Sequence, residues 1–361
     1  ATFVPELINT AYWLAGHYAK DACTKAVRVK FHHCCQKAKG RSHPPDRLMR
    51  KIILLNTHST LNSGDTGIVL AQIQLLRTIF SDVSISITSR TPEIDETFYD
   101  QFGITVFPPL LPAPSVFSPR STRVVKTVEN LLHFSEKKKL VNAVETSDLV
   151  ISSGGGYFWS PGNFFPGPMF WQNAVQVQLA ALKKKPLLFF PQSFGPFQNR
   201  LAPKLLSRCL QNDTVMKIFT REEISFEVVK KLLKGENKGK IEVCPDLAFA
   251  LEYNTPIPLD QFNTDLPSPR IALTLRHWGF PECTTAKEKE QKRQEYFSAL
   301  KEVCIQIYQR WRGSIIIFPQ VRGPGTFEND VPVSTRFVQE LRSLIPPDHI
   351  LLVQPEEVVS P

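Results

Sequence analysis

The stretch DLVISSGGG, residues 148–156, decides how this chain folds. A short run of apolar and branched residues ends in two serines and three glycines. Such a run before a glycine-rich turn is typical of a strand buried on both faces. The glycines let the backbone turn tightly and offer N–H groups to a ligand. The stretch is neither a Walker loop nor a G-x-G-x-x-G fingerprint, so it does not indicate nucleotide binding.

On both sides of this stretch, strand-like and helix-like segments alternate. Strands are predicted at residues 51–56, 84–88, 104–107, 149–152, 187–190, 215–219 and 241–244, and helices at 67–80, 124–132, 174–184, 201–210 and 224–233. A second block has predicted strands at 271–275, 315–318 and 350–353, and predicted helices at 291–311 and 335–344. Strands separated by helices indicate βαβ units. The predicted fold class is therefore α/β, with a mostly parallel sheet in each of two Rossmann-like domains.

Charge and proline content divide the chain further. Residues 1–50 carry nine Lys/Arg and three Asp/Glu, so 9 − 3 = +6 of the net charge of +9 lies in a predicted basic helical arm. Residues 51–251 form the predicted first domain, and residues 252–269, with four prolines, the predicted linker. Residues 270–361 form a partial second domain. Because the chain stops after its third strand, we expect this domain to be incomplete at its C-terminus and the chain to be a fragment.

Composition narrows the functional classes. No apolar stretch approaches the ~20 residues that a membrane span needs. Seven scattered cysteines argue against a disulfide framework and favour a cytoplasmic protein. The HHCC run at residues 32–35 lacks partners at zinc spacing, so we predict no metal. The basic arm fits either a solvated helix or a peripheral contact with an anionic membrane surface. Nucleic-acid binding is not indicated, because no binding motif accompanies the basic residues.

Four further motifs each follow a predicted strand. They are NSGD at residues 62–65, QSFGP at 192–196, REEIS at 221–225 and PDLAF at 245–249. Open α/β sheets bind ligands at the carboxyl ends of their strands. In order, and together with SGGGYF at 153–158, these motifs resemble those of the polysaccharide pyruvyl transferase family.

The resemblance covers roughly residues 51–353. It implies two Rossmann-like domains facing each other, in an arrangement similar to that of the GT-B glycosyltransferases. The N-terminal domain would hold an acceptor sugar and the C-terminal domain would bind phosphoenolpyruvate. The implied reaction moves a pyruvyl group from phosphoenolpyruvate to a sugar, forming a ketal in an exopolysaccharide or cell-wall glycan. No cofactor is implied beyond this co-substrate. The acceptor would be a glycan or its lipid-linked precursor. With a lipid-linked acceptor, the protein would act at the inner face of the membrane.

Two residues are the predicted catalytic groups. Asp65 suits a base that accepts a proton from a sugar hydroxyl, or an acceptor that positions the sugar; a capping aspartate in a βα turn is the alternative. Arg276, at a predicted strand end, would bind the anionic donor. His277 could serve as acid or base, but neighbours on a strand face opposite sides, so only Arg276 is expected to line the cleft. The predicted substrate-binding residues are Asn62, Gly64, Gly154, Gly155, Gly156, Tyr157, Gln192, Gly195, Arg221 and His277.

Several of these residues also have a structural interpretation. Arg221 either holds an anion or pairs with Glu222 or Glu223. The aromatic residues after Gly156 either form a platform for sugar faces or anchor their own loop. Asp246 follows a strand and fits a simple turn residue.

Two departures from the family pattern bear on activity. Thr66 replaces the small or acidic residue expected after Gly-Asp. The Arg-x-His motif of the family, whose histidine is the implied acid, has no counterpart in this chain. Two other functions therefore stay open: a GT-B glycosyltransferase that uses a nucleotide sugar, and a non-catalytic sugar-binding protein on the same fold. The acceptor sugar, the ketal linkage and the oligomeric state are not specified by the sequence.

Overall fold

A computed structural model describes residues 51–80, 82–111, 134–160, 166–252, 265–280, 283, 285–324 and 329–353. The basic arm predicted at 1–50, the helix predicted at 124–132 and most of the predicted linker lie outside these residues. The chain divides into two compact units, with a boundary after Glu252. One short segment from the first half of the chain, Leu61–Ser63, groups with the second unit.

The first unit is built on one parallel sheet. Its strands are β1 (Lys51–Leu55), β2 (Ser84–Thr88), β3 (Thr105–Phe107), β4 (Leu149–Ser152), β5 (Gly155–Ser160), β6 (Leu187–Phe197), β7 (Val215–Thr220) and β8 (Ile241–Val243). Its helices are α1 (Ser63–Ile79), α2 (Pro92–Asp100), α3 (Phe134–Thr146), α4 (Pro168–Leu182), α5 (Leu201–Leu210) and α6 (Glu223–Leu232). Two 3₁₀ helices, Gly235–Lys240 and Leu247–Ala250, follow.

The strand order places a switch point in the middle of this sheet. The order is β3-β2-β1-β4-β6-β7-β8, with β5 beside β6, and every pairing is parallel. From β1 the chain builds outward to β3 and then returns to lay β4 on the other side of β1. A crevice forms outside the carboxyl ends of the strands where the order reverses. The loops that follow β1 and β4 therefore flank the position where such folds bind ligands.

Both faces of the sheet are covered, which explains the continuous apolar strands. Along β1, Ile52 and Leu54 belong to one buried cluster, whereas Ile53 and Leu55 belong to another. Successive residues of a strand point to opposite faces, so the two clusters lie on the two faces of the sheet. All four side chains are 1% exposed or less. This rigid double-sided core holds the loops at the carboxyl edge.

The second unit contains a smaller parallel sheet. Its strands are β9 (Arg270–Leu273), β10 (Ser314–Ile317) and β11 (Ile350–Leu352), in the order β11-β10-β9. The connecting helices are α7 (Ala286–Trp311) and α8 (Val331–Leu341). A capping box fixes the start of α7, where Thr285 and Glu288 each accept a hydrogen bond from the other's backbone N–H. Parallel strands alternate with helices in this unit too, so the predicted α/β class is confirmed in both units.

The structure differs from the predicted elements in several places. Helices α2 and α3 and strand β5 were not predicted, and β6 continues through Pro191 to Phe197 instead of ending at Phe190. The second half of β6 is a strand because β5 pairs with it, through register shifts that sequence patterns do not reveal. Helix α1 begins at Ser63 instead of near Thr66, which places Asp65 in its first turn.

Among the described residues, no helix combines the length and apolar character needed to cross a bilayer.

Candidate functional site

Backbone conformation shapes the loop after β4. Gly155 has φ +126°, and a Cβ atom at this position would lie 2.3 Å from the ring of Tyr157. A Cβ atom on Gly154 would lie 2.7 Å from the carbonyl oxygen of Pro191. Glycine is therefore required at both positions by close contact, and at Gly155 also by its φ angle. The result is that the Tyr157 ring folds back over the carboxyl end of the sheet.

Asp65 lies at the centre of a polar cluster at this edge. Its carboxylate oxygen Oδ2 is 3.3 Å from Nδ1 of His58, and the Asp65 side chain is 13% exposed. The hydroxyl of Tyr157 forms a hydrogen bond with the same side chain. The Tyr157 and His58 rings stack at 5.0 Å with an interplanar angle of 9°. Because Asp65 is in the first turn of α1, the helix dipole also favours its negative charge.

The charge states of the two aromatic neighbours follow from burial. Burial, with a smaller effect from the Arg90 guanidinium, lowers the pKa of His58 to about 3. Burial and the Asp65 carboxylate raise the pKa of Tyr157 well above its usual value. At neutral pH, His58 is therefore an uncharged imidazole and Tyr157 keeps its hydroxyl proton. Both side chains can serve as hydrogen-bond donors to Asp65.

A second buried carboxylate holds the loop that carries His58. Asp95 of α2 is 0% exposed and accepts hydrogen bonds from the backbone N–H of Thr60, at 3.1 Å, and from the hydroxyls of Thr60 and Ser89. The same Ser89 oxygen lies 3.0 Å from the carbonyl oxygen of His58, so its single proton is shared between Asp95 and that carbonyl. Helix α2 thus holds the loop after β1 from the direction of β2, opposite to that of β4.

Arg221 lies in a network at the ends of β6 and β7. Its Nε donates to Ser193 Oγ at 2.6 Å, and its Nη1 donates to Asp246 Oδ2 at 2.9 Å. Its Nε is also 3.3 Å from a carboxylate oxygen of Glu222. The remaining guanidinium nitrogen, Nη2, faces Gly156, where a Cβ atom would lie 3.5 Å from it. Arg221 therefore pairs with carboxylates, as one interpretation of the sequence expected, and also extends toward the glycine loop.

Gln192 and Gly195 occupy different positions along β6. The Gln192 side chain is buried, at 1% exposure, and donates to the carbonyl of Phe190 at 3.3 Å and to Ser152 Oγ at 3.5 Å. Gly195 has φ +90° near the end of the strand. Ser152 also accepts a hydrogen bond from Asn56 at 3.1 Å. Gln192 is thus part of a buried polar layer beneath the loops, and its predicted contact with substrate stays a prediction.

The second unit contains a shallow pocket that is open to solvent. It is lined by Arg276, His277, Trp278, Phe280, Arg293, Tyr296, Phe297 and Val333. Arg276 is exposed, and its guanidinium lies 5.5 Å from the centre of the Trp278 ring. Strand β9 ends at Leu273, so Arg276 lies on the loop beyond the strand and not at its end. The alternation rule for strands does not apply there, which is why Arg276 and His277 line the same pocket.

Asp330 organises the loop beside this pocket. It is 3% exposed, and it accepts hydrogen bonds from the backbone N–H groups of His277, at 2.8 Å, and Val321, at 3.2 Å. Burial raises the pKa of Asp330. Within the same unit, Asn62 forms an antiparallel bridge with Val321, and the carbonyl of Leu61 accepts a hydrogen bond from Arg322 at 2.7 Å. The backbone of Asn62 is therefore part of the second unit.

The structure thus brings together only part of the predicted set. Asp65, the three glycines after β4, Tyr157 and Arg221 belong to one candidate site in the first unit, and Gly64 lies in the first turn of α1 beside it. Arg276 and His277 lie in the second unit. The sequence analysis did not identify His58 or Arg90, which complete the Asp65 cluster. In the described part of the chain, no group of three or more His, Cys, Asp or Glu residues is placed to hold a metal ion.

The chain shares its sequence pattern with a known family. Residues 62–316, more than half of the chain, match the family described as polysaccharide pyruvyl transferase. The chain therefore belongs to the polysaccharide pyruvyl transferase family, as the ordered motifs predicted. The match includes Asp65, the glycine loop, Arg221 and Arg276.

Individual proteins are similar at lower identity. The amylovoran biosynthesis protein AmsJ of Erwinia amylovora is 28% identical over 228 residues, which are 57% of this chain and 50% of AmsJ. This chain thus spans about half the length of that curated relative. Among solved structures, UDP-GlcNAc 2-epimerase from Methanocaldococcus jannaschii has a TM-score of 0.45 and 13% identity, covering 86% of this chain and 75% of its own. MnaA of S. aureus in complex with UDP has a TM-score of 0.46 and 13% identity, covering 86% and 70%.

Proposed function

We propose that this protein transfers a pyruvyl group from phosphoenolpyruvate to a sugar of a polysaccharide or glycan precursor. Membership of the polysaccharide pyruvyl transferase family supports the reaction class. The observation that carries the proposal is the position of Asp65. Its carboxylate lies at the switch point of the sheet, is 13% exposed, and is held beside two uncharged side chains, His58 and Tyr157. A carboxylate so placed can accept a proton from a sugar hydroxyl.

The proposed reaction forms two C–O bonds to one carbon of the donor. A first sugar hydroxyl gives its proton to Asp65 and attacks C2 of phosphoenolpyruvate, while the methylene carbon of the donor takes a proton from solvent and becomes a methyl group. A second hydroxyl then forms the other C–O bond as the bond to phosphate breaks. Its proton leaves with the phosphate, and Asp65 returns its own proton to solvent. The donor and acceptor thus give a ketal and inorganic phosphate, with no change in oxidation state overall.

Arg276 is the group proposed to hold the donor. Phosphoenolpyruvate carries a carboxylate and a phosphate, and a guanidinium can bind either group through two parallel hydrogen bonds. Arg276 is exposed and shares its pocket with Arg293, so two cations line the same surface. The Arg276 guanidinium lies 5.5 Å from the centre of the Trp278 ring, a cation–π contact.

Phosphate release with a panel of glycan acceptors tests the proposal. The protein should release phosphate from phosphoenolpyruvate only when a suitable acceptor is present, also after treatment with EDTA, and mass spectrometry should show the acceptor heavier by one pyruvyl ketal. Calorimetric titration with UDP-sugars serves as the contrasting measurement. Binding of a UDP-sugar without any effect of phosphoenolpyruvate would replace the proposal with a glycosyltransferase. Acceptor binding without phosphate release would replace it with a sugar-binding protein.

We further infer that the acceptor is a lipid-linked precursor at the cytoplasmic face of a membrane. The net charge of +6 in residues 1–50 supports this location, because basic segments are attracted to anionic lipid surfaces. Flotation with anionic liposomes should recover the protein, and removal of residues 1–45 should abolish recovery. Equal recovery of both forms would show that the arm does not mediate membrane contact.

A further inference from the structure

His58 has no role in the proposed reaction so far, yet it is a buried side chain in contact with Asp65. It is 8% exposed, and its ring is stacked against Tyr157. Its two ring nitrogens face different partners: Nε2 contacts a guanidinium nitrogen of Arg90, and Nδ1 faces Asp65 Oδ2 at 3.3 Å. Nδ1 makes no hydrogen bond of standard geometry with a described residue, so its contact with Asp65 is close in distance but not fully aligned.

The contact with Arg90 fixes which nitrogen of His58 carries the proton. A guanidinium has donors only, so Nε2 must supply its lone pair to Arg90. In a neutral imidazole, one nitrogen accepts and the other donates, so the proton is on Nδ1. Oδ2 of Asp65, 3.3 Å from Nδ1, is the carboxylate oxygen within reach of this N–H. Arg90 therefore selects the tautomer of His58 that can donate to Asp65.

We propose that His58 is a positioning residue, whose Nδ1–H and the hydroxyl of Tyr157 hold the Asp65 carboxylate in the orientation needed to accept a proton. This inference rests on the proposed function, since it assigns Asp65 as the base. Two donors on one carboxylate limit its rotation and leave the remaining lone pairs directed toward the edge of the sheet. His58 itself does not reach a substrate, because Arg90 covers Nε2 and Tyr157 covers one face of the ring.

The alternative roles of His58 make different predictions. A catalytic acid or base must change its protonation state during turnover, and burial together with Arg90 keeps His58 uncharged across the physiological range. A residue that only fills space would be replaceable by any side chain of similar size. A positioning residue requires a donor at the place of Nδ1. Asn and Gln separate these cases, because the amide of Asn reaches about as far as Nδ1, whereas the longer Gln reaches toward Nε2.

The first test measures the tautomer without reference to activity. Protein with ¹⁵N-labelled histidine is studied by NMR, and the His58 signals are assigned from their absence in His58→Gln. We expect a neutral ring with the proton on Nδ1, and in Arg90→Gln we expect a larger population with the proton on Nε2. A proton on Nε2 in the wild-type protein would overturn the inference.

The second test uses kinetics of pyruvyl transfer. We expect His58→Gln to lower kcat about 100-fold with little change in the KM for phosphoenolpyruvate, because misplacing a catalytic group costs about this factor. The acidic limb of the pH–rate profile should move to higher pH, since a carboxylate that loses a donor is protonated more easily. His58→Asn should recover most of kcat. Equal losses in both variants with an unmoved acidic limb would reduce His58 to a packing role.

The two proposals fail in distinguishable ways. If the wild-type protein has the Nδ1–H tautomer but transfers no pyruvyl group to any acceptor, the proposed function is wrong. If it transfers pyruvyl groups while His58 carries its proton on Nε2, only the positioning role is wrong.

Discussion

The two units hold their candidate catalytic groups in contrasting ways. In the first unit, Asp65 is 13% exposed and is in contact with His58 and Tyr157. In the second unit, Arg276 is exposed on a loop beyond β9, and its contacts there include the face of Trp278 and the hydroxyl of Tyr296, which accepts its backbone N–H at 3.5 Å. One group is preorganised by buried neighbours, and the other lies in a shallow pocket open to solvent.

This contrast suits the different tasks that we propose for the two groups. A base must be held in one orientation before the substrate arrives, because misplacement lowers the rate directly. A cation that binds a charged donor can remain solvated until the donor displaces its water. Substitutions in the first unit should therefore change kcat, whereas substitutions in the pocket of the second unit should change KM.

Asp65→Asn, in the first unit, should have the largest effect on the rate of pyruvyl transfer. The amide cannot accept the proton, so we expect kcat for pyruvyl transfer to fall by about 10²–10⁴-fold while the KM for phosphoenolpyruvate stays similar. The measurement is steady-state phosphate release. Asp213→Asn, at an exposed turn before β7, is the matched control and should keep wild-type rates. Wild-type activity of Asp65→Asn would remove the base from the proposal.

Arg276→Ala, in the second unit, should instead weaken binding of the donor. Loss of a charge-assisted hydrogen bond to the donor costs about 1.5–3 kcal/mol, which corresponds to a KM for phosphoenolpyruvate raised about 10–150-fold. Steady-state kinetics at saturating acceptor measure this change. Arg342→Ala removes an exposed arginine from the end of α8 in the same unit and should leave the KM unchanged. Equal KM values in both variants would show that Arg276 does not hold the donor.

Gly155→Ala tests whether the glycine loop determines the place of Tyr157. Its Cβ atom would meet the Tyr157 ring at 2.3 Å, and its φ of +126° disfavours any side chain. We expect a loss of about 1–3 kcal/mol in the free energy of unfolding, measured with urea. Gly239→Ala is the matched control, because a Cβ atom there meets nothing within 4 Å. A similar stability for the two variants would contradict this explanation of the loop.

The effect that bears least on the contrast between the two units is a pH dependence of stability from His58. Its pKa is lowered to about 3 in the folded state from 6.5, so between these pH values the unfolded chain binds more protons. The contribution to stability is therefore complete above pH 6.5 and is lost as the pH falls, by about 1.4 kcal/mol per pH unit. Urea unfolding at pH 7, 6 and 5 should show this slope, and His58→Gln should reduce it. An unchanged slope would mean that His58 is not buried in neutral form.

Much of the fold could be predicted because it depends on local pattern. Helix α5 has the bounds that its apolar spacing predicts, and β2 and β4 match their predicted residues. Strand β5 could not be predicted, because the residues after Gly155 become a strand only through their pairing with the far end of β6. Helix α2 was missed because its apolar stripe is narrow, with Asp95 buried where an apolar residue would normally indicate a helix face.

The candidate site was predictable to a lesser degree. Asp65 and the glycines could be identified because they follow strands of the predicted sheet, whose carboxyl ends meet at one edge. His58 belongs to the same loop, but its importance depends on Arg90 and Tyr157, which approach it only after β2 and β4 have paired with β1. The buried environment that makes His58 neutral is likewise a product of tertiary packing.

Ketal formation from ¹³C-labelled phosphoenolpyruvate, followed by NMR for the wild-type protein and for Asp65→Asn, tests most directly whether Asp65 is the base. We expect the wild-type protein to convert the labelled enol carbon into a ketal carbon of the acceptor. Asp65→Asn, though folded, should form the product at least about 100-fold more slowly. A ketal formed at equal rates by both proteins would contradict the assignment of Asp65 as the base.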